Sequence, residues 1–234
     1  MKTLDLTLPG PEENLACDEA LLDQIQETDG PEVLRFWSPA QHFVTLGYSR
    51  PLERDVHPEA CRRRNVPVLR RCSGGGTVLQ GPGCWNYSLI LKVEPHGPLR
   101  TIPGSNAFIL ERHRQLFEQL LGRPVTVQGD TDLVLDGKKF SGNAQRRKTS
   151  RLLFHGTVLL GLDLGLLEEL LPVPDRQPAY RNQRPHPGFL TNLERPPQEI
   201  RDAFIRCWNA TGEFHPVPLD RIRKLAAERY RILH

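Results

Sequence analysis

The sequence contains no C-x-x-C pair, and its five cysteines (Cys17, Cys61, Cys72, Cys84 and Cys207) are odd in number. That argues against both a disulfide framework and a cysteine-based zinc site, and it points to a reducing compartment. No apolar run approaches the roughly 18 residues that a membrane span requires. The first twenty residues carry Asp5, Glu12, Glu13, Asp18 and Glu19 without an apolar stretch of signal-peptide length, so the expected location is the cytoplasm. An excess of one charge sign is nearly absent: 31 Lys and Arg against 28 Asp and Glu leave +3. Arg62, Arg63, Arg64, Arg70 and Arg71 crowd together. Without stacking aromatics or a finger pattern, they read as a solvated face or a phosphate pocket rather than a nucleic-acid surface. Internal repeats and low-complexity tracts are lacking too.

What is present fits an ordinary folded domain of 234 residues with 38% hydrophobic content, and one core is expected over 1–234. Leu15, Ala16, Ala20, Leu21 and Ile25 fall at helical spacing between 13 and 28, and Asp29-Gly30-Pro31 ends the pattern. Segments 32–37, 42–48, 66–72 and 85–92 read as strands. Phe108, Ile109, Leu116, Phe117, Leu120 and Leu121 predict a helix over 106–121, closed by Gly122 and Pro124. Strand-like segments at 131–135 and 152–160 flank a Lys- and Arg-rich stretch, and a leucine-rich helix is expected at 164–171. Residues 172–188, with five prolines plus Arg176, Arg181 and Arg184, read as a long surface loop of the kind that forms lids. Two helices, 196–209 and 219–233, complete a mixed α+β domain.

The stretch richest in chemistry is Arg70-Arg71-Cys72-Ser73-Gly74-Gly75-Gly76-Thr77, which follows an expected strand. Three glycines in succession allow positive φ and let backbone N–H groups approach an anion closely, and arginine offers a planar fork to phosphate oxygens. No Gly-Lys-Ser/Thr follows and the dinucleotide spacing fails, so neither familiar nucleotide loop is present. A bare triple glycine also makes a tight turn or bulge. Further on, Asp136-Gly137 is a hairpin signal, and it places Lys138 and Lys139 at the start of a strand that reaches Ser141-Gly142. Alone, such a lysine pair reads as a solvated edge. His155-Gly156 enters an apolar strand, where an isolated histidine reads as structural.

Taken in order, R-R-C-S-G-G-G-T-V, T-D-L-V-L-D-G-K-K-F-S-G-N-A-Q, H-G-T-V-L-L-G-L-D-L and F-L-T-N-L resemble the lipoate-protein ligase family, relatives of biotin ligases and octanoyltransferases. N-L-A-C-D-E-A-L and L-G-Y-S-R add to the likeness, which runs over roughly residues 14–208. It implies a biotin/lipoate ligase-like α+β fold of mixed, mainly antiparallel sheets flanked by helices. It also implies a two-step reaction: ATP converts lipoate or octanoate to an acyl-adenylate, and a lysine of an apo lipoyl domain or a glycine-cleavage H-type carrier protein then takes the acyl group.

By this resemblance Lys139 is the catalytic cation between two anions, whose repulsion it offsets most strongly where water is excluded. Arg70, Arg71, Ser73, Gly74, Gly75, Gly76, Thr77, Val78, Leu79, Asp132, Ser141 and Gly142 join it around the nucleotide and the acyl-adenylate. Asp132 also faces Mg²⁺ or the nucleotide, although the resemblance assigns no set of metal ligands. Val44, Leu46, Tyr48 and Leu79 are assigned to the acyl chain by position, with His155 and Gly156, and His155 also stands as a base for the incoming lysine. No nucleic acid or membrane is implied as a partner.

The resemblance has departures. Octanoyltransferase branches use a cysteine nucleophile either just before the D-L-V segment or after the leucine-rich helix, where this chain reads Val127-Gln128-Gly129-Asp130-Thr131 and Pro172-Val173-Pro174. An ATP-dependent ligase is therefore favoured over an acyltransferase or a non-catalytic acyl-nucleotide or carrier binder. Many ligases add a C-terminal accessory domain, for which 1–234 leaves no room, so a separate accessory subunit or a self-sufficient short form is expected. Asn143 stands where serine is frequent, a minor change.

Overall fold

The computed structural model describes residues 1–233. Strand β1 (Lys2–Asp5) leads into α1 (Pro11–Thr28), β2 (Val33–Trp37) and β3 (Phe43–Leu46). Two short helices, α2 (Leu52–Asp55) and α3 (Pro58–Arg63), precede β4 (Val68–Arg70), β5 (Val78–Gln80) and β6 (Cys84–Lys92). After α4 (Ile102–Leu121) come β7 (Val125–Gln128), β8 (Asp132–Leu135), β9 (Lys138–Arg147) and β10 (Arg151–Leu159). Helices α5 (Leu164–Leu170), α6 (His186–Phe189), α7 (Pro197–Cys207) and α8 (Leu219–Arg229) follow.

A large sheet runs in the order β1-β2-β6-β10-β9-β8-β7 and a small one in the order β4-β3-β5. Of the strand pairs among the described residues only β1–β2 and β3–β4 are parallel, so the mixed, mainly antiparallel α+β architecture implied by the resemblance is the one observed. Alternation of side chains gives the large sheet two different faces. Leu34, Phe36, Tyr87, Leu89 and Phe154 point to one side and pack with Phe117 of α4 and Phe204 of α7. Val33, Trp37, Ile90 and Leu153 point to the other, against Leu21 and Ile25 of α1 and Ile222 of α8. The small sheet adds Phe43 and Leu69 to that second core. No helix among the described residues is long and apolar enough to cross a membrane.

Local chemistry explains where the elements depart from the sequence reading. Helix α4 starts at Ile102 rather than 106, because Thr101 Oγ1 accepts the Gly104 N–H (3.1 Å) and Pro103 suits the first turn. Strand β9 does not stop at Gly142 but continues through the basic stretch to Arg147. Its polar side chains are tied to the start of α4: Gln145 Nε2 donates to Asn106 Oδ1 (2.6 Å) and Arg147 Nη1 to Ser105 Oγ (2.9 Å). The last helix ends at Arg229, where Tyr230 turns inward to donate to Glu19 Oε2 (2.6 Å). Loop 172–188 is pinned: Arg181 and His186 are buried, and Arg184 Nη1 donates to the Gly137 carbonyl (3.0 Å).

Candidate functional site

The glycine turn leaves β4 and is braced from beneath. Arg71 is buried, and its Nη2 donates to the carbonyls of Gly74 (2.6 Å) and Gly76 (2.8 Å) while its Nε donates to Ser73 Oγ (3.1 Å). Burial pushes its guanidinium down to about 10, which still leaves it charged at neutral pH. Arg70 Nη1 donates to the carbonyls of Gly47, Tyr48 and Arg50, fastening the L-G-Y-S-R segment alongside. A Cβ at Gly47 would lie 2.1 Å from the Gly75 carbonyl oxygen, so the two segments approach as only glycine permits. At the far end Thr77 Oγ1 donates to Asp55 Oδ2 (2.5 Å), the carboxylate that also pairs with Arg50.

Both arginines are thus spent on carbonyls of the turn and its neighbour, and the turn's inner surface is left to the backbone. Gly75 adopts φ +90°. Among the described residues, the N–H groups of Gly74, Gly75 and Gly76 have no protein acceptor. Such a run of unpaired donors has the chemistry to receive an anion.

The lysine reaches the same face of the sheet through a bulge. Asp136 (φ 50°) and Gly137 (φ 74°) form a tight hairpin turn. The register then shifts: Val134 opposes Lys139, but Leu133 opposes Ser141, leaving Phe140 as the extra residue. Phe140 sinks into the core, and Lys139 comes to the side of Asp132 and Gly142. Lys139 Nζ contacts Asp132 Oδ1 at 2.7 Å, and a Cβ on Gly142 would lie 2.6 Å from that nitrogen. Tyr180, from the Pro/Arg loop, donates to the other carboxylate oxygen, Asp132 Oδ2 (2.7 Å). Burial, together with that neighbouring carboxylate, pushes the Tyr180 hydroxyl far above its ordinary range. The F-L-T-N-L motif steadies the strand, since the Thr191 N–H donates to the Lys139 carbonyl (2.9 Å). Ala144, two residues beyond Gly142, lies beneath the turn, 3.7 Å from where a Gly75 Cβ would be.

Opposite Ala144 sits His155. Its Nε2 lies 2.6 Å from Ser73 Oγ and its Nδ1 lies 3.1 Å from Asp18 Oδ2. Asp18 comes from α1 and is paired with the fully buried Arg35 at 2.6 Å, while Ser88 Oγ donates to it at 2.8 Å. Burial alone would raise the Asp18 carboxyl, but Arg35, His155 and Ser88 together hold it below the ordinary carboxylate range.

The side chains of the remaining residues singled out from sequence take other places. Val44, Leu46 and Leu79 fill a third core with Val68 and Leu170, on the face of the small sheet opposite Phe43. Tyr48 is exposed, with Arg146 over its ring at 5.7 Å. Gly156 faces away from His155, beneath Asn143, whose Oδ1 would meet an added Cβ at 1.8 Å. Ser141 is buried on the core side, and Val78 lies at the start of β5. Asn143 bridges two elements: its Nδ2 donates to the Thr131 carbonyl (2.7 Å) and its Oδ1 accepts from Tyr87 (2.5 Å). Tyr87 in turn meets His113 Nδ1 (3.1 Å), and Trp208 Nε1 donates to His113 Nε2 (3.0 Å). Sequence reasoning missed Asp18, Arg35, Asp55 and Tyr180. Only Asp18 carried a signal, as one of two adjacent acids, with Glu19, amid the apolar stripe of α1.

Over residues 10–204 the chain matches the family described as lipoyl protein ligase A/B catalytic domain. It is 31% identical over 196 residues to octanoyltransferase LipM of Geobacillus kaustophilus, covering 74% of this chain and 70% of that protein. A "Probable lipoate-protein ligase A" of Mycoplasma pneumoniae is 33% identical over 176 residues, covering 74% of this chain; the match spans 50% of that relative's length. In three dimensions the chain resembles a bi-partite lipoate protein ligase from Thermoplasma acidophilum, from work on that ligase and its E2 lipoyl domain. The TM-score is 0.79 at 23% identity, covering 97% of this chain and 90% of that one, a likeness of fold. With most of its length matched and the four motifs arranged around one turn and one hairpin, the chain belongs to the lipoyl protein ligase A/B catalytic-domain family.

Proposed function

We propose that this protein activates lipoate or octanoate with ATP and delivers the acyl group to a lysine of an apo lipoyl domain or an H-type carrier protein. The observation that carries the reading is the placement of Gly75, the middle of three glycines with unpaired N–H groups, and of the Lys139 ammonium on one face of β9, over Ala144 and Gly142 respectively. A carboxylate oxygen attacks the α-phosphorus of ATP, and the bond to pyrophosphate breaks. Attacker and target are both anionic, so Lys139 moves from Asp132 to lie between them and offsets their repulsion. Asp132 keeps its hydrogen bond from Tyr180 when the lysine departs. The glycine N–H groups hold phosphate oxygens, with the Arg71 charge fixed below them.

In the second step the acceptor amine attacks the acyl carbonyl, the new C–N bond forms and AMP leaves. The intermediate must be shielded from water meanwhile, and loop 172–188, latched through Tyr180, is the segment positioned to shield it. Mg²⁺ fits this site as a companion of the nucleotide, since it takes one or two protein carboxylates plus substrate phosphates and Asp132 offers one. Among the described residues no group of three or more His, Cys, Asp or Glu is placed to hold a metal unaided. A thiol route is disfavoured: burial pushes Cys17 up to about 11 and Cys72 and Cys84 up to about 12.

The test is to incubate the protein with ATP, Mg²⁺, octanoate or lipoate and an apo lipoyl domain. One acyl mass should appear on the acceptor, with pyrophosphate released in step. Acylation that proceeds equally without ATP from the free acid, or none at all from a folded protein, rejects the reading.

A further inference from the structure

The two steps set out above use no proton transfer by Ser73, His155 or Asp18, yet these three side chains are joined in one hydrogen-bonded chain. Asp18, held ionised by Arg35, can only accept, and Ser88 already donates to its Oδ2. The 3.1 Å contact from His155 Nδ1 to that oxygen therefore carries the ring proton. In the tautomer with that proton on Nδ1, Nε2 is free to accept, and the 2.6 Å contact is then Ser73 Oγ–H donating to it. Arg71 Nε points at the same Oγ from 3.1 Å, where a charged donor favours an alkoxide over a hydroxyl. The next three residues are the glycines whose N–H groups are unpaired, so donors for an oxyanion adjoin the hydroxyl. In the unliganded chain Ser73 is covered by the turn, but nothing lies within 4 Å of where side chains on Gly74 and Gly76 would project. Ser73 itself is 1% exposed, so a substrate reaches its hydroxyl only when the turn shifts off it.

We propose that Ser73 is a nucleophile for ATP-independent acyl transfer from a thioester, by way of an acyl-serine. Ser73 Oγ attacks the thioester carbonyl while its proton passes to His155 Nε2. The C–S bond breaks, and His155 returns that proton to the departing thiolate, leaving the acyl group as an oxygen ester on Ser73. An acceptor lysine, as the free amine, then attacks the ester; the C–N bond forms, the C–O bond breaks and Ser73 recovers a proton through His155. Asp18 is a positioning residue that holds the imidazole in the required tautomer. This activity goes beyond adenylation and needs no cysteine.

The experiment uses octanoyl-pantetheine as donor, without ATP, on the whole chain, with acid quench, intact mass and peptide mapping. One octanoyl group is expected on Ser73, resistant to neutral hydroxylamine at a dose that cleaves thioesters, and chased onto an apo lipoyl domain when that is added. Ser73→Ala should carry no adduct. Ser73→Cys should carry one that hydroxylamine removes, which shows that the position rather than the fold is responsible. Cys72→Ser should behave as wild type. His155→Asn and Asp18→Asn should slow adduct formation about 10²–10⁴-fold, with circular dichroism reporting that they fold. A wild-type adduct on a cysteine or lysine overturns the proposal, as does transfer undiminished in Ser73→Ala. Ligation with ATP and free acid, but no adduct from the thioester, also overturns it and leaves the adenylation reading standing. The reverse pattern supports the acyl-serine and rejects adenylation.

Discussion

Beneath the glycine turn, Arg35, Asp18, Ser73 and Arg71 are nearly sealed from solvent, His155 is 14% exposed, and every charged member has several partners. At the hairpin, the Lys139 and Asp132 side chains are 23% and 13% exposed, and they share a single short contact that Tyr180 can outlast. The first arrangement is rigid because removing any one member leaves a buried charge or donor without a partner. The second is looser, and its single contact leaves the ammonium free to take the role proposed for it. Mutations should therefore show as lost stability in one region and as lost chemistry in the other.

Lys139→Ala offers the sharpest break. Adenylate formation, measured by pyrophosphate exchange, should fall by roughly 10³-fold or more, about 4 kcal/mol in barrier. Urea unfolding should change by less than about 1 kcal/mol, because the ion pair is part-exposed. Arg35→Met should do the opposite, destabilising the fold by about 3–5 kcal/mol as Asp18 is left buried and uncompensated. Adding Asp18→Asn to Arg35→Met should recover part of that loss. Failure to recover any would mean that the charge pair is not the source of the effect.

Acidification separates the regions further. Burial holds His113 down to about 3, well below the ordinary histidine value of 6.5, so the unfolded chain binds a proton there that the native chain refuses. Stability is fully present above about pH 6.5 and is lost progressively as pH falls toward 3. The contribution of Asp18, whose carboxyl is also depressed, is present above the ordinary carboxylate value of 3.8 and is lost only as pH falls below it. His113→Gln should flatten the stability profile between pH 6.5 and 4. An unchanged slope there would contradict the burial argument.

The smallest effect belongs to Tyr180→Phe. Loss of one hydrogen bond to a part-exposed carboxylate is worth about 1 kcal/mol, so proteolysis within 172–188 should quicken up to about fivefold while turnover changes less than that. If turnover instead collapses, Tyr180 does more than hold the loop.

Much of this was legible in the sequence where the signal is local. The triple glycine, the Asp136-Gly137 turn and the apolar stripe of α4 each announce themselves within a few residues, and the order of four motifs singled out Lys139. What stayed hidden depends on contacts between distant segments. Asp18 meets His155 137 positions away and Tyr180 meets Asp132 48 positions away, so no window of sequence links them. Strand β9 was cut short because Arg146, Arg147 and Gln145 look like a solvated run, although Gln145 and Arg147 bind the start of α4. The acyl assignments at Val44, Leu46 and Leu79 rested on position alone, and these side chains fill the interior of the small sheet.

The extra residue at Phe140 sets a limit on substitution that residue identity alone would not reveal. Lys138 is chemically identical to its neighbour and one peptide closer to the turn, yet it opposes Leu135 and sits on the opposite side of the strand pair. By position it is no spare: in Lys139→Ala it stays on the other side, and removing Phe140 to restore regular pairing would swing the residue-139 ammonium away from Asp132. Geometry here is carried by the count of residues between hairpin tip and Gly142, so length changes of a single position in that interval should be as damaging as losing the lysine itself.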